Sequence, residues 1–496
     1  MKRSLIGLIV LIVLFNSSVS VAFTVDLAEQ EKPKNIILLI GDGMGFSHIH
    51  ITKLAYGRLN MEEFQNTAYG LTYSLSGEVT DSAAAGTELA TGVMTYNRMV
   101  STIKVNGKIV NLTTILEVAQ ELGKSTGLVT TTRITHATPA VFCAHVEHRK
   151  MEKEIARQLI EHRINVLMGG GKKEFDANTL KLARELGYKI IYTKKELEDV
   201  DGKYVLGLFA ESHIPYVLDR DGNTPSLLDM TKKAIEILEK DSDGFFLMVE
   251  GGRIDHAAHA NDIASVIAET KEFDDVVGYV LDYAKRRGDT LVIVVADHET
   301  GGLTVGVNYG RCIDFEKIKQ IKRSVEYIAE EIKAGGDIKY TVKRYTGIEL
   351  TESEVREIEE RARSEKYGLV NALGEIISEK VGIRFSSHKH SGELVPLMAY
   401  GPGAEDIRGF LHHVDVAKFM AKKLLFGELD IPLNKIRITS DGKKGDINGD
   451  CTVDEIDAYL VLNHFLGEFV DTEIEKKVDM NNNGVIDLGD VLYLIE

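Results

Sequence analysis

The chain has 496 residues, of which 44% are hydrophobic and 27% are charged. These proportions are typical of a globular protein and exclude a disordered or fibrous chain. The formal net charge of -17 argues against a protein that binds nucleic acid or an anionic membrane through a general basic surface.

The N-terminus has two basic residues, an apolar run from Leu5 to Phe15, and small residues that end at Ala22. This pattern predicts a signal peptide over residues 1–22, with an uncleaved membrane anchor as the alternative. We therefore expect the mature protein to be secreted or at the cell surface. The three cysteines are an odd number without a CxxC spacing, so no disulfide framework is expected.

Short apolar runs bounded by glycine or polar residues predict buried strands. They cover residues 35–40, 125–131, 165–168, 245–249, 290–296 and 394–400. Amphipathic segments between them predict helices at 112–122, 151–161 and 227–238. The alternation indicates an α/β domain of three layers, in which helices flank a mostly parallel central sheet. Ligand groups in such domains gather beyond the carboxyl ends of the strands.

The domain organisation of the chain follows from changes in this alternation of strands and helices. Lys/Glu-rich helical sequence predicts a helical insertion over one edge of the sheet at about residues 308–385. The main domain is expected over residues 33–424. A linker at 425–444 and a different module at 445–496 follow it.

Asp81 and Ser82 stand directly before the small-residue run AAAGTELATG, which predicts a helix. A serine at this place is either the N-cap of the helix or a nucleophile that uses the free N–H groups of the helix N-terminus. The local sequence leaves both interpretations open.

Acidic residues and a histidine follow the predicted strands. Asp42 comes after the first strand, Glu250 follows the fourth, and Asp297 and His298 lie at the end of the fifth. A carboxylate beside a strand that is buried on both faces costs desolvation unless a cation compensates its charge. An Asx turn is the alternative for Asp42.

Asp255 and His259 are four residues apart, so on a helix they share a face that suits a shared ion or a surface ion pair. His390 precedes the last predicted strand. With the four residues above, they supply four carboxylates and three imidazoles. This mixture suits zinc at nitrogen-containing sites and magnesium at an oxygen-rich site, so the sequence predicts a multinuclear metal centre.

Six sequence blocks over residues 34–422 resemble, in order and spacing, those of the alkaline phosphatases. The blocks are NIILLIGDGMG, TDSAAAGTELATG, THATPAVFCAHVEHR, FFLMVEGGRIDHAAHAND, VVADHETGG and HSGELVPLMAYGP. The resemblance implies the alkaline phosphatase fold. It also implies hydrolysis of phosphate monoesters to alcohol and inorganic phosphate through a phosphoserine intermediate.

The resemblance further implies three divalent ions, namely two zinc ions and a third ion. Their ligands would be Asp255, His259 and His390 for one zinc, Asp42, Asp297 and His298 for the second, and Asp42, Glu250 and Thr138 for the third ion.

By the same resemblance, Ser82 is the nucleophile and Arg149 the phosphate clamp, because a guanidinium grips two phosphate oxygens at once. Asp81 is expected to orient Arg149 by a hydrogen bond. Two metal ions suit this chemistry, since one activates the serine and the other stabilises the leaving oxygen.

His136 and His256 depart from the enterobacterial pattern, which has an acid and a lysine at these positions. Either a histidine ligates the third ion directly, which favours cobalt or zinc, or both act through water. We expect magnesium at this site, with cobalt as the alternative.

Sulfatases and phosphodiesterases of the same superfamily are the alternatives to this interpretation. A sulfatase would carry proline and arginine in C/S-x-P-x-R, which the residues after Ser82 lack. A phosphodiesterase remains the alternative, although Arg149 and a third ion serve the extra charged oxygens of a monoester. Family members are commonly dimers, so a homodimer is expected. Nucleic acid is not expected as a partner.

Residues 445–496 contain an internal repeat, GDINGDCTVDEIDAYLVLNHFLG and VDMNNNGVIDLGDVLYLIE. Oxygen-bearing residues fall at the ligand positions of an EF-hand loop in both copies, although Asp ends each loop in place of Glu. The expected calcium ligands are Asp446, Asn448, Asp450, Thr452, Asp454 and Asp457, then Asp479, Asn481, Asn483, Val485, Asp487 and Asp490.

A calcium loop followed by one helix, duplicated, is similar to a type I dockerin. The resemblance implies a small helical module with two calcium ions and a cohesin-like partner on a scaffold or cell surface. Two Asx-rich turns without metal are the alternative. Cys451 replaces the glycine preferred in the first loop, which weakens that site. A scaffold-attachment protein that acts mainly through this module is the alternative function.

Overall fold

The computed structural model describes residues 32–306, 312–426, 447, 453, 455–467 and 478–495. The predicted signal peptide and most of the predicted linker lie outside these residues. Within the described ranges, every helix is too short or too polar to cross a membrane.

The strands follow one another along the chain as β1 Asn35–Ile40, β2 Asn66–Leu71, β3 Thr102–Val105, β4 Lys108–Asn111, β5 Ser125–Arg133, β6 Val166–Gly170, β7 Lys189–Ile191, β8 Val205–Leu208, β9 Phe245–Glu250, β10 Thr290–Val295, β11 Glu299–Thr300, β12 Leu303–Thr304, β13 Arg384–Phe385, β14 His390–Ser391, β15 Val395–Tyr400 and β16 Gly409–His412.

The helices are α1 Phe46–Tyr56, α2 Ser82–Thr91, α3 Ile115–Glu121, α4 Ala137–Ala140, α5 Glu152–Glu161, α6 Ala177–Glu185, α7 Lys194–Asp199, α8 Leu227–Leu238, α9 Arg253–His259, α10 Ile263–Arg287, α11 Phe315–Gln320, α12 Val325–Lys333, α13 Ile338–Thr346, α14 Glu352–Ser364, α15 Gly368–Lys380, α16 His413–Phe426, α17 Glu455–Leu466 and α18 Leu488–Ile495. Short 3₁₀ turns lie at Asn60–Glu63, Lys172–Glu174 and Ala404–Asp406.

A ten-stranded sheet forms the centre of the molecule, in the order β16-β2-β15-β10-β1-β9-β5-β6-β8-β7. Strand β1 pairs in parallel with both β10 and β9. Strand β15 pairs antiparallel with both β10 and β2, so the sheet is mostly parallel. The six predicted strands are β1, β5, β6, β9, β10 and β15, and each is confirmed to within two residues.

Strand β1 shows why the sheet is covered on both faces. All six of its residues are buried, and successive side chains point to opposite faces. Ile36, Leu38 and Ile40 pack into one hydrophobic cluster with residues of α2, α3, α5 and α16. Ile37 and Leu39 pack into another cluster with residues of α8 and α10. The predicted three-layer architecture is therefore confirmed.

The segment from residue 312 to 385 contains α11 to α15 and then β13. Its buried side chains form a third cluster with residues of α9 and α10, such as Ala257 and Ile263. The described residues of the edge strands β7 and β16 contribute nothing to this cluster. The helical character agrees with the sequence, but the placement over an edge of the sheet was wrong. The helices lie instead over α9 and α10, because their apolar faces find their partners there.

The C-terminal helices α17 and α18 pack against each other and against the main domain. The Phe465 ring lies against Gly92 at the end of α2, and the Lys418 Nζ atom is 4.8 Å from the centre of that ring. The backbone N–H of Thr113 donates a hydrogen bond of 3.1 Å to Asp487 Oδ2. The module therefore contacts α2, α3 and α16 through both apolar and polar groups.

We expect Leu38→Ala to lower the free energy of unfolding by about 3 kcal/mol, because the change leaves a cavity in the middle of the sheet. Leu54→Ala is the matched control, since Leu54 on α1 is 46% exposed. Its effect should stay within about 0.5 kcal/mol. Urea denaturation of the metal-loaded protein measures both, and equal losses would contradict the assigned core.

Candidate metal centre and nucleophile

Three neighbouring strands bring acidic residues to one edge of the sheet. Asp42 lies two residues after β1, Glu250 ends β9, and Asp297 and His298 follow β10. Because β1 lies between β9 and β10 and runs parallel to both, the carboxyl ends of all three strands meet. The four side chains have no solvent-exposed surface.

Several oxygen atoms in this cluster lack a hydrogen-bond partner. They are both carboxylate oxygens of Asp42, Asp297 Oδ2, Glu250 Oε1 and the hydroxyl of Thr138. Burial raises the pKa of Asp297 to about 8, and the nearby carboxylates of Asp255 and Glu250 also raise it. Burial and repulsion from Asp297 raise the pKa of Asp42 well above 3.8. Buried carboxylates of this kind need compensation, and a bound cation fits.

A second group of donor atoms joins α9 to β14. Asp255 Oδ1 lies 3.3 Å from His259 Nε2 and 3.7 Å from His390 Nε2, and the two histidine nitrogens are 3.2 Å apart. His259 Nδ1 donates to the backbone carbonyl of His388, and His390 Nδ1 donates to that of Thr80. A carbonyl only accepts, so each neutral imidazole has its bare lone pair on Nε2. Two lone pairs and a carboxylate oxygen therefore converge on one place, as ligands of a cation do.

His298 is held in the same tautomer. The Thr300 hydroxyl donates its one hydrogen to Asp255 Oδ1 at 2.6 Å, so it accepts from His298 Nδ1 at 3.2 Å. The bare Nε2 of His298 then lies 3.3 Å from Asp297 Oδ2 and 3.6 Å from Asp42 Oδ1.

The predicted ligands therefore come together in overlapping groups. In each of these groups the ligand atoms lie within 4.8 Å of one another: Asp255, His298 and His390; Asp42, Asp297 and His298; and Asp42, His136 and Glu250. The His298 and His390 rings stack at 3.6 Å, which links the first group to the second.

Gly43 allows α9 to approach the ends of the central strands closely. Its φ of +71° lies in the left-handed region, and a Cβ atom there would stand 2.9 Å from both Asp255 Cα and Thr300 Oγ1. Its backbone N–H donates to Asp297 Oδ1 at 3.1 Å. A side chain at this position would push α9 away from the strand ends.

Ser82 is the first residue of α2, and its Oγ atom lies 3.2 Å from His298 Nε2. Asp81 is the N-cap, since its Oδ1 accepts from the N–H of Ala84 at 3.1 Å. The alternative in which Ser82 caps the helix is therefore wrong. The aspartate takes this role because it is the extended residue immediately before the first helical residue, Ser82. The Ser82 hydroxyl is left beside the metal-ligand groups.

The other oxygen of Asp81 holds Arg149. Arg149 Nη1 donates to Asp81 Oδ2 at 2.9 Å, as the sequence predicts, and Arg149 Nη2 donates to His136 Nε2 at 3.0 Å. These two contacts aim the guanidinium towards the N-terminus of α2. A phosphate group bound there would meet both Arg149 and the free N–H groups of the helix.

His256 differs from the histidines above. Its Nδ1 accepts from Arg253 Nη1 at 2.8 Å, and an arginine only donates. The proton of the neutral ring must then be on Nε2, so this histidine is a hydrogen-bond donor. It does not belong to any of the metal-ligand groups found among the described residues.

One residue of this region was missed from the sequence. The His213 ring lies 4.4 Å from the His256 ring and 5.6 Å from the His136 ring, each in an edge-on arrangement. Its Nδ1 accepts from the backbone N–H of Arg133 at 3.3 Å. His213 follows β8 in the stretch ESHIPY, which has no local pattern that indicates a site.

Hydrogen bonds link the residues of the second predicted calcium loop. Asp479 accepts from the N–H groups of Asn483 and Gly484, at 3.0 and 2.9 Å. Asp490 Oδ1 accepts from Met480 N at 2.6 Å, and Asp457 Oδ1 accepts from Ile447 N at the same distance, so the two repeats share this contact. Asn481 Oδ1 accepts from Asn483 N, whereas Val485 supplies only backbone groups.

Burial raises the pKa of Asp487 to about 7 and also raises that of Asp490, as expected for acids gathered around a cation position. The other residues of the first loop, Asp446, Asn448, Asp450, Thr452 and Asp454, lie outside the described residues.

Comparisons with known proteins agree with this geometry. The alkaline phosphatase family model matches residues 33–426, and the dockerin type I model matches residues 444–496. Alkaline phosphatase 4 of Bacillus subtilis is 40% identical over 415 residues, which cover 80% of this chain and 89% of that protein.

Solved structures give the same result. The cold-active alkaline phosphatase of Shewanella sp. superposes with a TM-score of 0.73 at 33% identity, over 79% of this chain and 99% of that one. A histidine-to-aspartate variant of the TAB5 alkaline phosphatase, solved with magnesium bound in its M3 site, superposes with a TM-score of 0.61 at 29% identity, over 80% and 99% of the two chains. The chain therefore belongs to the alkaline phosphatase family of metal-dependent phosphomonoesterases, and it carries a type I dockerin domain over residues 444–496.

Proposed function

We propose that this phosphatase hydrolyses phosphate monoesters through a phosphoserine on Ser82. The observation that carries the proposal is the position of the Ser82 hydroxyl. It lies at the start of α2, beside His298 Nε2, where the metal-ligand groups meet the helix that Asp81 caps, and Asp81 in turn holds Arg149.

Two zinc ions and a third ion suit the donor atoms of these groups. Asp255, His259 and His390 would hold one zinc, and Asp42, Asp297 and His298 the other, because both sets mix imidazole nitrogen with carboxylate oxygen. When bound, these ions supply activation of the serine hydroxyl and stabilisation of the leaving oxygen.

The third ion would lie near Asp42, His136, Glu250 and Thr138. Its identity follows from how His136 is used. The oxygen atoms of Glu250 and Thr138 suit magnesium, and His136 Nε2 already accepts a hydrogen bond from Arg149. A nitrogen from His136 would favour cobalt. We propose magnesium, with His256 acting through water because its Nε2 carries a proton.

The residues of the chain perform the remaining steps. Ser82 Oγ attacks phosphorus in line with the ester oxygen, the serine O–P bond forms, and the ester O–P bond breaks to release the alcohol. Arg149 and the N–H groups at the start of α2 hold the other phosphate oxygens, which carry the developing charge. Attack of water on the phosphoserine then releases inorganic phosphate and restores Ser82.

A phosphodiesterase activity is the rival assignment within the superfamily. Arg149 argues against it, because it is aimed by Asp81 and His136 at a place where a monoester has a charged oxygen and a diester has a second ester group. Rates on an aryl phosphate monoester and on the matching aryl diester decide between them. A faster diester would overturn the monoesterase assignment.

We propose a second role for the C-terminal module, in attachment. The second loop has Gly484 at its sixth position with a φ of +83°, as the sharp turn of a calcium loop requires. Two calcium ions would then order residues 445–496 for a cohesin-like partner outside the cell. This role is consistent with a signal peptide at 1–22, a catalytic domain at 33–424 and a linker at 425–444. A homodimer of the catalytic domain is also proposed.

Ser82→Ala should lower kcat for an aryl phosphate by about 10³-fold or more, because it removes the oxygen that forms the covalent intermediate. Mass spectrometry of the acid-quenched enzyme should find one phosphate on the wild type and none on the variant. Ser242→Ala, at an exposed turn, is the control and should behave as the wild type. A phosphorylated Ser82→Ala protein would contradict the assignment.

Removal of the metal ions should make stability fall as pH rises. In the metal-free fold the raised pKa of Asp297, about 8, means that the folded state holds more protons than the unfolded state above pH 3.8. Between pH 5.5 and 8 the free energy of unfolding should therefore decrease, by up to about 3 kcal/mol. Calorimetry of the metal-free and metal-loaded proteins measures this slope.

The metal-loaded protein should lack most of that slope, since bound ions keep the carboxylates charged throughout. Asp297→Asn should reduce the slope of the metal-free protein, because it removes the titrating group. A metal-free protein that is equally stable at both pH values would show that these carboxylates are compensated in another way.

Calcium binding should depend on the second loop. Asp479→Ala removes the first ligand of that loop, so isothermal titration of the calcium-free protein should find one calcium ion fewer per chain than in the wild type. Asp199→Ala, at an exposed position on α7, is the matched control. Phosphatase activity should persist in both, and an unchanged calcium count in Asp479→Ala would contradict the assigned loop.

A further inference from the structure

Glu117, His145 and His162 form a cluster that the phosphatase chemistry does not use. Glu117 is on α3, His145 lies between α4 and α5, and His162 is the C-cap of α5. Their ligand atoms lie within 4.8 Å of one another, as in the three groups of the catalytic centre, but none of the three residues belongs to those groups.

The spacing of the donor atoms matches that of a tetrahedral metal site. Glu117 Oε1 lies 3.0 Å from His145 Nε2 and 3.7 Å from His162 Nδ1. Ligands at the usual zinc bond lengths in a tetrahedron are about 3.3–3.4 Å apart, between these two values. The catalytic donor atoms show the same range, with 3.3 Å from Asp255 to His259 and 3.7 Å from Asp255 to His390.

The contacts around the cluster hold its donor atoms in place. His145 Nδ1 donates to the Ser101 carbonyl at 3.0 Å, so the neutral ring has its lone pair on Nε2, facing Glu117 Oε1. Glu117 Oε2 accepts from the N–H of Thr114 at 2.8 Å, as part of a capping box, which leaves Oε1 for the two histidines. Backbone contacts of this kind orient metal-binding histidines and carboxylates.

A lone pair that faces a carboxylate oxygen needs a cation between them. That cation is either a proton, which makes a His145–Glu117 ion pair, or a metal ion. Only the metal ion also uses His162, whose Nδ1 points at the same oxygen. His162 Nδ1 lies 3.7 Å from Glu117 Oε1, so this ring is placed to supply a third donor atom to the same ion.

Exposure and chemistry define the kind of ion. The side chains of His145, Glu117 and His162 are 11%, 20% and 26% exposed, so water can reach a fourth coordination position. Two imidazole nitrogens with one carboxylate oxygen suit zinc, cobalt or nickel, whereas calcium and magnesium prefer oxygen alone.

We propose that Glu117, His145 and His162 bind one further transition-metal ion of the zinc type, in addition to the ions of the catalytic centre. This ion joins α3 to the end of α5. The site lies close to the C-terminal module, since Thr113, just before α3, donates to Asp487 of the second calcium loop.

The test measures the number of zinc ions bound per chain of the full-length enzyme. Wild type, His162→Gln and His50→Gln are equilibrated with excess zinc in the presence of calcium, passed through a gel-filtration column, and measured by plasma mass spectrometry. His50 is the matched control, because it is an exposed histidine on α1. Wild type and His50→Gln should hold one zinc ion per chain more than His162→Gln. All three should hydrolyse an aryl phosphate at the same rate, since His162 lies outside the catalytic groups.

Glu117→Gln is a second variant, which is expected to keep the fold because glutamine also serves in a capping box. It should lose the same zinc ion. Added zinc should raise the Tm of the wild type by more than it raises that of either variant, because the catalytic sites take up zinc in all three proteins. Equal zinc counts in all four proteins would overturn the proposal and leave a proton-bridged ion pair as the role of the cluster.

Discussion

Repulsion among buried carboxylates is the constraint on which the catalytic domain depends. Asp42, Glu250, Asp255 and Asp297 meet at the ends of β1, β9 and β10 and in α9, and all four are buried. Four such charges are stable together only when cations or protons compensate them. The three divalent ions proposed for this site would bring six positive charges, so the filled site would have an excess of two before Arg149 is added. An acidic protein can in this way present a positive site to an anionic substrate.

The groups around the histidines decide which ring nitrogen carries the proton. The carbonyls of His388 and Thr80 hold His259 and His390 with bare Nε2 atoms, and the Thr300 hydroxyl does the same for His298. Arginine reverses the pattern at His256, which becomes a donor. Rings of the same residue type therefore have different roles a few ångströms apart, because the partner of one nitrogen decides what the other nitrogen can do.

Two helix ends connect the site to the rest of the molecule. Asp81 uses one oxygen to cap α2 and the other to hold Arg149, so one side chain positions both the nucleophile helix and the phosphate clamp. The far end of α2, at Gly92, lies against Phe465 of the C-terminal module. That module also accepts a hydrogen bond from Thr113 through Asp487, which belongs to the proposed second calcium loop. Calcium bound there would therefore be physically linked to the packing of the module on α2 and α3.

The sequence by itself determined the strands of the central sheet, the candidate ligand residues and the C-terminal repeat, because apolar runs, strand-end acids and loop spacing are local patterns. The seven candidate ligands named from these patterns lie close together in the structure. Only the tertiary structure decided that Asp81 and not Ser82 caps α2, that the helices of residues 312–385 cover α9 and α10, and that His213 joins His136 and His256. The last two depend on contacts between residues far apart in the chain, whereas the cap depends on which residue begins the helix. The direction of a side chain and the tautomer of a ring follow from such neighbours, and no local pattern records them.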